Sequence, residues 1–411
     1  MLTEKEKLDV LARLGIDLSQ IHDLDILMER ILTEARRFVN ADAGSIYIRN
    51  KETLHFTYTQ NDTLQKRLCA GEKLIYSTFS IPVNEKSIAG YVAASGQPLN
   101  LPDVYKIDTD KPYRFKKEID EDSHYKTRSA LTIPLINFND DILGVLQIIN
   151  AQNEQNQTIA FSDKDEKMML HFASIAAIAL ERAQMTRAIL LRMIRMAEMR
   201  DPKETGAHVN RVGGYAVEIY EKWANKRDFS RKEIDKNRDC FRMAAMLHDV
   251  GKIAISDLIL KKPGRFSPGE YEIMKKHTVL GAQLFQERQS DFDDAAAQVA
   301  LNHHERWDGD GYPGHVDIAT GYALKDYQRS DGSAAGKRTE EIPVYGRIVA
   351  LADVYDALSS VRVYKEAWNE ADVLSKIEEN SGQHFDPELV EIFFDSLDLL
   401  RSIQKRYADE D

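Results

Sequence analysis

Apolar residues recur at helical spacing through residues 1–40, at Leu8, Leu11, Leu14 and Leu18 and again at Leu27, Ile31, Ala35 and Phe38. The pattern breaks between Ile21 and Leu24, which predicts an N-terminal helix within 1–21 followed by a second one. From Ala43 the period shortens to two. Residues 45–49 and 54–58 alternate around a turn-like 49–52, and residues 129–135 and 142–150 flank the polar loop 137–141. Each pair reads as two half-buried antiparallel strands. Together these elements predict an α+β domain, an antiparallel sheet flanked by helices. Ser162 then opens a helical stretch free of Gly and Pro as far as Asp201-Pro202, with residues 162–165 offering cap chemistry. A helix of this length buries its apolar positions either in a parallel dimer seam or against its own domains, and no clean heptad decides between the two. Past Pro202 no strong strand signal remains, so the rest is expected to be all-α, with one polar Gly/Ser-containing stretch at 320–341.

Composition narrows the classes. The chain has 411 residues, 43% hydrophobic and 30% charged, which fits two or three globular domains and excludes a disordered chain. With 55 Lys+Arg against 67 Asp+Glu the net charge is −12. Such a chain does not wrap nucleic acid through a general basic surface, and any phosphate chemistry must import positive charge locally. Cys69 and Cys240 form no CxxC pair and no disulfide framework, so both read as structural thiols in a reducing compartment. The first residues are charged, and the apolar stretch at 172–180 is far short of the roughly 18 residues of a membrane span. A cytoplasmic location with neither DNA nor membrane as partner is expected.

The second half holds Glu204 four residues before His208, His248-Asp249, His277, His303-His304 and Asp353, several of them inside apolar runs. Any one such histidine alone is more readily a hydrogen-bonded core residue. The whole set is costly to bury without a cation, and His/Asp/Glu ligands without Cys favour iron or manganese over structural zinc.

These residues carry a resemblance. His248-Asp249-Val250-Gly251-Lys252-Ile253 resembles the signature of the HD phosphohydrolase superfamily, and the run from His303-His304-Glu305 through Asp308 and Gly309 to Gly311-Tyr312-Pro313 is similar to the HHExxDGxGYP motif of its HD-GYP subgroup. The resemblance covers about 200–400 and implies an all-α metal-dependent phosphodiesterase (residues 201–411) acting on cyclic di-GMP, a bacterial second messenger. It implies His208, His248, Asp249, His277, His303, His304 and Asp353 as metal ligands, with Glu204 as ligand of a third ion in a trinuclear, iron-containing site. Two ions are the fallback, and manganese is the alternative metal. Asp249 and Asp353 are implied as bridging carboxylates and, with Lys252, as catalytic residues; Lys252, Tyr312, Arg362 and Lys365 are implied to contact substrate, and Asp308 to order the loop or a ligand histidine. The implied products are pGpG and, with a second cleavage, GMP. A cyclic GMP-AMP phosphodiesterase, or a catalytically weak binding module that recruits diguanylate cyclase partners, are the other readings.

Departing from that pattern, 28 residues separate Pro313 from Ile342-Pro343. This insertion, near 316–341, is expected to be a tolerated, disordered surface loop rather than a lid whose Arg329, Lys337 or Arg338 meets substrate. Residues 22–182 resemble a GAF domain through 126–135, 142–150 and 161–166, which implies a sensor joined to the enzyme by a signalling helix at 162–200. Ala151 follows Asn150 where cyclic-nucleotide-binding members carry a lysine, so Asp165 lacks that partner and cyclic-nucleotide binding is not supported. The expected GAF partner is an unidentified small molecule, or none, with homodimerisation through the GAF domain and connecting helix.

Overall fold

The computed structural model describes residues 3–68, 79–198, 206–360 and 368–408, so Cys69, Glu204, Arg362 and Lys365 lie outside the described residues. The chain divides into two compact units, residues 1–187 and 188–411.

In the first unit α1 (Glu4–Ser19) begins with a capping box between Thr3 and Glu6, and α2 (Leu24–Val39) begins at Asp23, whose carboxylate accepts from the Asp25 and Ile26 amides. The break expected at 21–24 is thus the entry to a new helix. Asn40, with φ 49°, ends α2 in the left-handed region and turns the chain into the sheet. Strands β1 (Ala41–Asn50) and β2 (Thr53–Asn61) form a hairpin, followed by α3 (Asp62–Gln65), β3 (Ser80–Pro82), α4 (Ile88–Ser95), β4 (Leu99–Leu101), α5 (Glu118–Ser123), β5 (Ala130–Ile136), β6 (Ile142–Gln152) and β7 (Thr158–Ile159). The sheet runs β3-β2-β1-β6-β5-β4 with β7 beside β6, and its ladders are antiparallel. Both predicted strand pairs are present, β1 on β2 and β5 on β6. Alternation divides the sheet: Ile46, Leu131, Ile133, Leu135, Leu146 and Ile148 pack against α1, α2 and α6 (Asp163–Glu198), while Tyr47, Leu54 and Val145 meet Ala89, Val92 and Ala93 of α4.

At the start of α6, Asp165 accepts from the Ser162 amide and hydroxyl, and Lys7 of α1 donates to its other oxygen at 2.8 Å. In place of the lysine missing at position 151, Asp165 thus takes its cation from a residue 158 positions upstream of it. Burial alone would raise the Asp165 pKa, but Lys7 and Ser162 hold it below the usual carboxylate range.

The second unit is helical: α7 (Gly206–Lys226), α8 (Arg231–Met246), α9 (Asp257–Leu260), α10 (Pro268–Lys275), α11 (His277–Gln283), α12 (Asp291–Asn302), α13 (Val344–Ser359), α14 (Glu370–Glu379), α15 (Pro387–Phe394) and α16 (Leu397–Arg406). Only isolated bridges, and no strands, occur among its described residues. The core gathers Val212, Tyr215 and Ile219 of α7, Phe241 and Ala245 of α8, Val299 of α12, Ile348 and Leu351 of α13 and Leu389 of α15. That packing fixes the helix ends on which the polar residues sit.

The expectation of a disordered insertion is corrected. Residues 314–341 fold back on themselves through bridges Val316–Ala323 and Gln328–Ala334, with His315 stacked on Tyr327 at 3.6 Å. The segment also fastens to the rest of the unit, where Gln283 donates to the Ile318 and Ala319 carbonyls and the Thr339 amide donates to Trp307. Counting residues reveals the added length of a loop but not the hydrogen bonds that hold it.

Candidate metal centre

Among the described candidate ligands all but Asp353 stand at or near a helix end. His208 is in the first turn of α7, His248-Asp249 follow α8 and enter the 3-10 turn Val250–Ala254, His277 opens α11, His303-His304 follow α12, and Asp353 lies on α13. The seven side chains form two groups, Asp249 with His277, His303 and His304, and His208 with His248 and Asp353; within each, one potential ligand atom per residue lies within 4.8 Å of all the others. Asp249 faces both: its Oδ2 is 3.3 Å from His248 Nε2, while its Oδ1 is 3.2 Å from His277 Nε2 and 3.6 Å from His303 Nε2. Asp353 Oδ1 is 3.6 Å from His208 Nε2 and 4.0 Å from His248 Nε2.

The outward ring nitrogens fix the tautomers. Nδ1 of His248 faces the Ala245 carbonyl at 2.9 Å, that of His277 the Met274 carbonyl at 2.7 Å, that of His303 the Ala300 carbonyl at 3.0 Å, and that of His208 the Asp356 carboxylate at 2.8 Å. These oxygens only accept, so in each neutral ring Nδ1 donates and the lone pair falls on Nε2. Four Nε2 lone pairs therefore point at two carboxylates, and the Nε2 atoms of His277 and His303 stand 3.5 Å apart. Buried acceptors facing acceptors at these separations require cations between them. The Asp249 Oδ1, buried and receiving no hydrogen bond of normal geometry, fits the same requirement. Burial, reinforced by its histidine neighbours, pushes His304 well below its ordinary value, and burial lowers His303, which keeps both in the neutral, ligand-competent form. Burial alone would raise Asp249, but the Lys252 ammonium beside it holds it well below the carboxylate range. This donor set fits hard or borderline divalent ions.

Lys252 donates to Asp249 Oδ2 at 2.6 Å from a 3-10 turn. It therefore belongs to the cluster's charge arrangement rather than to a solvated helix face. Gly251 allows that turn to approach α11: a Cβ there would stand 2.0 Å from the His277 carbonyl oxygen and 2.4 Å from the Gly281 nitrogen. Gly251→Ala is expected to destabilise the fold by about 1–3 kcal/mol and to loosen metal binding by displacing His277, as chemical denaturation and metal titration would show.

Two carboxylates, Asp356 and the Glu305 of the HHExxDGxGYP run, have supporting roles that the motifs do not assign. Asp356 accepts from His208 Nδ1 and takes two bonds from Arg211, at 2.6 and 2.9 Å; it is 1% exposed, and burial alone would raise its pKa, yet His208 and Arg211 hold it below the usual range. Such partners orient a ligand histidine and raise its basicity. Its signal was position: Asp356 follows Asp353 by three residues on one helix, hence on one face. Glu305, directly after His304, accepts from the Gly314 amide at 2.6 Å and the Lys337 amide at 3.3 Å, and burial raises its pKa. Lys337 itself donates to Asn302 at 2.5 Å, inside the fold. Asp308 pairs with Arg306 and accepts from the Asp310 amide, which orders the loop as one of its two expected roles. Tyr312 lies against His304 with ring centroids 4.8 Å apart.

Among known families, the model described as HD domain matches residues 205–358 and that described as GAF domain matches 23–180. The chain is 34% identical over 207 residues to a 3'3'-cGAMP-specific phosphodiesterase 2 of Vibrio cholerae serotype O1, covering 50% of this chain and 34% of that protein. It is 40% identical over 203 residues to a cyclic di-GMP phosphodiesterase of the same organism, covering 48% and 37%, and 37% identical over 216 residues to a cyclic di-GMP phosphodiesterase of Thermotoga maritima, covering 53% and 50%. The chain thus spans between a third and a half of the length of these relatives. It carries a GAF domain followed by an HD domain, as the resemblance implied, and the HD match together with the His/Asp cluster implies divalent metal binding. Among the described residues no helix is long and apolar enough to cross a membrane.

Proposed function

We propose that this chain is a metal-dependent cyclic di-GMP phosphodiesterase that forms pGpG and, by a second cleavage, GMP, under control of its GAF domain. The observation that carries the reading is the convergence of four Nε2 lone pairs on Asp249 and Asp353 in an HD domain. Its ligands are His208, His248, Asp249, His277, His303, His304 and Asp353, with Glu204 for a third ion. When bound, two or three divalent ions, iron or alternatively manganese, supply Lewis-acid charge and lower the pKa of a water for attack on phosphorus. The protein's own groups do the rest. Asp249, facing both groups of histidines, ties them together. Lys252, 2.6 Å from Asp249, supplies a cation to the substrate phosphate, and Tyr312, packed against His304, contacts substrate. Arg362 and Lys365 grip the phosphates, so a chain of net charge −12 holds an anionic substrate by local cations.

The GAF domain acts as sensor for a small molecule, and a homodimer forms along α6. Ile178, Met185, Ile189 and Met196 are 50–63% exposed there at spacings of seven, four and seven residues, an apolar stripe suited to a second copy of the same helix. A cytoplasmic enzyme reaches cyclic di-GMP directly.

The test is turnover by protein prepared anaerobically and loaded with iron or manganese. Cyclic di-GMP is expected to be cleaved in preference to 3'3'-cGAMP. The opposite preference transfers the substrate to the mixed dinucleotide, and no turnover of either at full metal occupancy rejects the enzyme reading in favour of a binding module. Glu204→Ala is expected to lose one metal equivalent per chain; an unchanged metal count rejects the third ion.

A further inference from the structure

A row of rings leads from the cluster to solvent. His304 lies against Tyr312 at 30° between ring planes, and Tyr312 meets Tyr271 of α10 edge to face, with centroids 6.1 Å apart. The ammonium of Lys275 is 5.4 Å from the Tyr271 centroid and 5.8 Å from that of Tyr312, and its other partner is the exposed Glu272 carboxylate at 2.6 Å. Tyr312 is buried enough that its hydroxyl pKa is raised, whereas Tyr271 is 45% exposed.

Packing does not account for Tyr271. No residue of α10 is buried, and the apolar cluster under it is built from Ile255, Ile259, Leu260, Phe266, Met274 and Leu280. The ring instead stands at the outer end of the row, held by an edge contact and a cation that leave its remaining surface open. A phosphodiester at the cluster carries its nucleoside outward, and the first rings beyond His304 are Tyr312 and then Tyr271. An exposed aromatic face beside a lysine fits a purine: the π-surface stacks, and the ammonium donates to ring nitrogen or carbonyl acceptors on the base edge.

We infer that Tyr271, supported by Lys275, is the stacking platform for one purine base of the substrate. The inference rests on the phosphodiesterase reading and extends it to a residue outside the HHExxDGxGYP run. Stacking is sequence-tolerant, so Tyr271 recognises a purine as such and leaves discrimination between bases to the ammonium of Lys275.

The experiment compares two substrates on the metal-loaded full chain: cyclic di-GMP, which has purines, and bis(p-nitrophenyl) phosphate, which has none. The readout is the ratio of their kcat/KM values, with KM and kcat separated for the dinucleotide and metal content measured alongside. Tyr271→Ala is expected to lower the ratio about 5- to 100-fold, through KM, while Tyr271→Trp restores it. A ratio that stays at the wild-type value, or a loss shared equally by both substrates or accompanied by loss of metal, overturns the platform and leaves the enzyme reading standing. Wild-type protein that cleaves bis(p-nitrophenyl) phosphate but neither cyclic dinucleotide overturns the substrate reading, and the platform with it.

Discussion

Asp249→Asn is expected to abolish measurable hydrolysis of cyclic di-GMP and to strip the protein of metal, while the fold persists. Among the described residues this carboxylate faces both sets of histidines, with oxygens 3.2–3.6 Å from the Nε2 atoms of His248, His277 and His303. An amide keeps the shape, removes the charge and offers two N–H donors to atoms that need a cation. Substituting residues behind a ligand typically costs 10- to 100-fold in affinity or activity, and removing a carboxylate that would itself hold the metal costs more than that. The loss is expected to exceed about 100-fold in turnover. Metal analysis beside steady-state kinetics and circular dichroism would separate this from misfolding: a folded variant that keeps wild-type turnover contradicts the assignment.

Asp356→Ala is expected to be the most damaging substitution outside the ligand set, through two effects. The first is stability. Arg211 is 2% exposed and makes two bonds to this carboxylate, so the substitution takes a buried, doubly bonded anion from its guanidinium. Breaking a buried pair from one side costs about 3–5 kcal/mol. The second is chemical. Without the acceptor on Nδ1, the His208 ring loses both its orientation and its preference for presenting Nε2, so metal affinity is expected to fall 10- to 100-fold. Denaturant titration reads the first effect and metal titration the second. Metal affinity equal to wild type would show that Asp356 serves the fold alone.

What could be read in the chain differs from what could not by the range of the interactions. The β1–β2 and β5–β6 hairpins follow from period-two alternation around short polar turns, and the start of α2 from an Asp cap. Asp249 is adjacent in sequence to His248, and His303 to His304, so their local geometry travels with the motif. Long-range partners carry no such signature. Asp356 meets His208 across 148 residues, and Lys7 replaces the missing lysine beside Asp165 across 158. The order of the insertion is hidden for the same reason: its length and polarity are visible in the sequence, but its attachment to Gln283 and Trp307 depends on where α11 and the loop after α12 lie. Tyr271 likewise becomes meaningful only when α10 is placed beside Tyr312.

On the metal-dependent reading, this cluster holds divalent ions without which a cyclic dinucleotide is not cleaved. Protein stripped of metal under anaerobic conditions and then reloaded with iron or manganese, followed for conversion of cyclic di-GMP to pGpG against metal bound per chain, tests it most directly. Stripped protein is expected to give no conversion, and the rate to rise with occupancy; cleavage without metal, or none at full loading, overturns the metal-dependent reading.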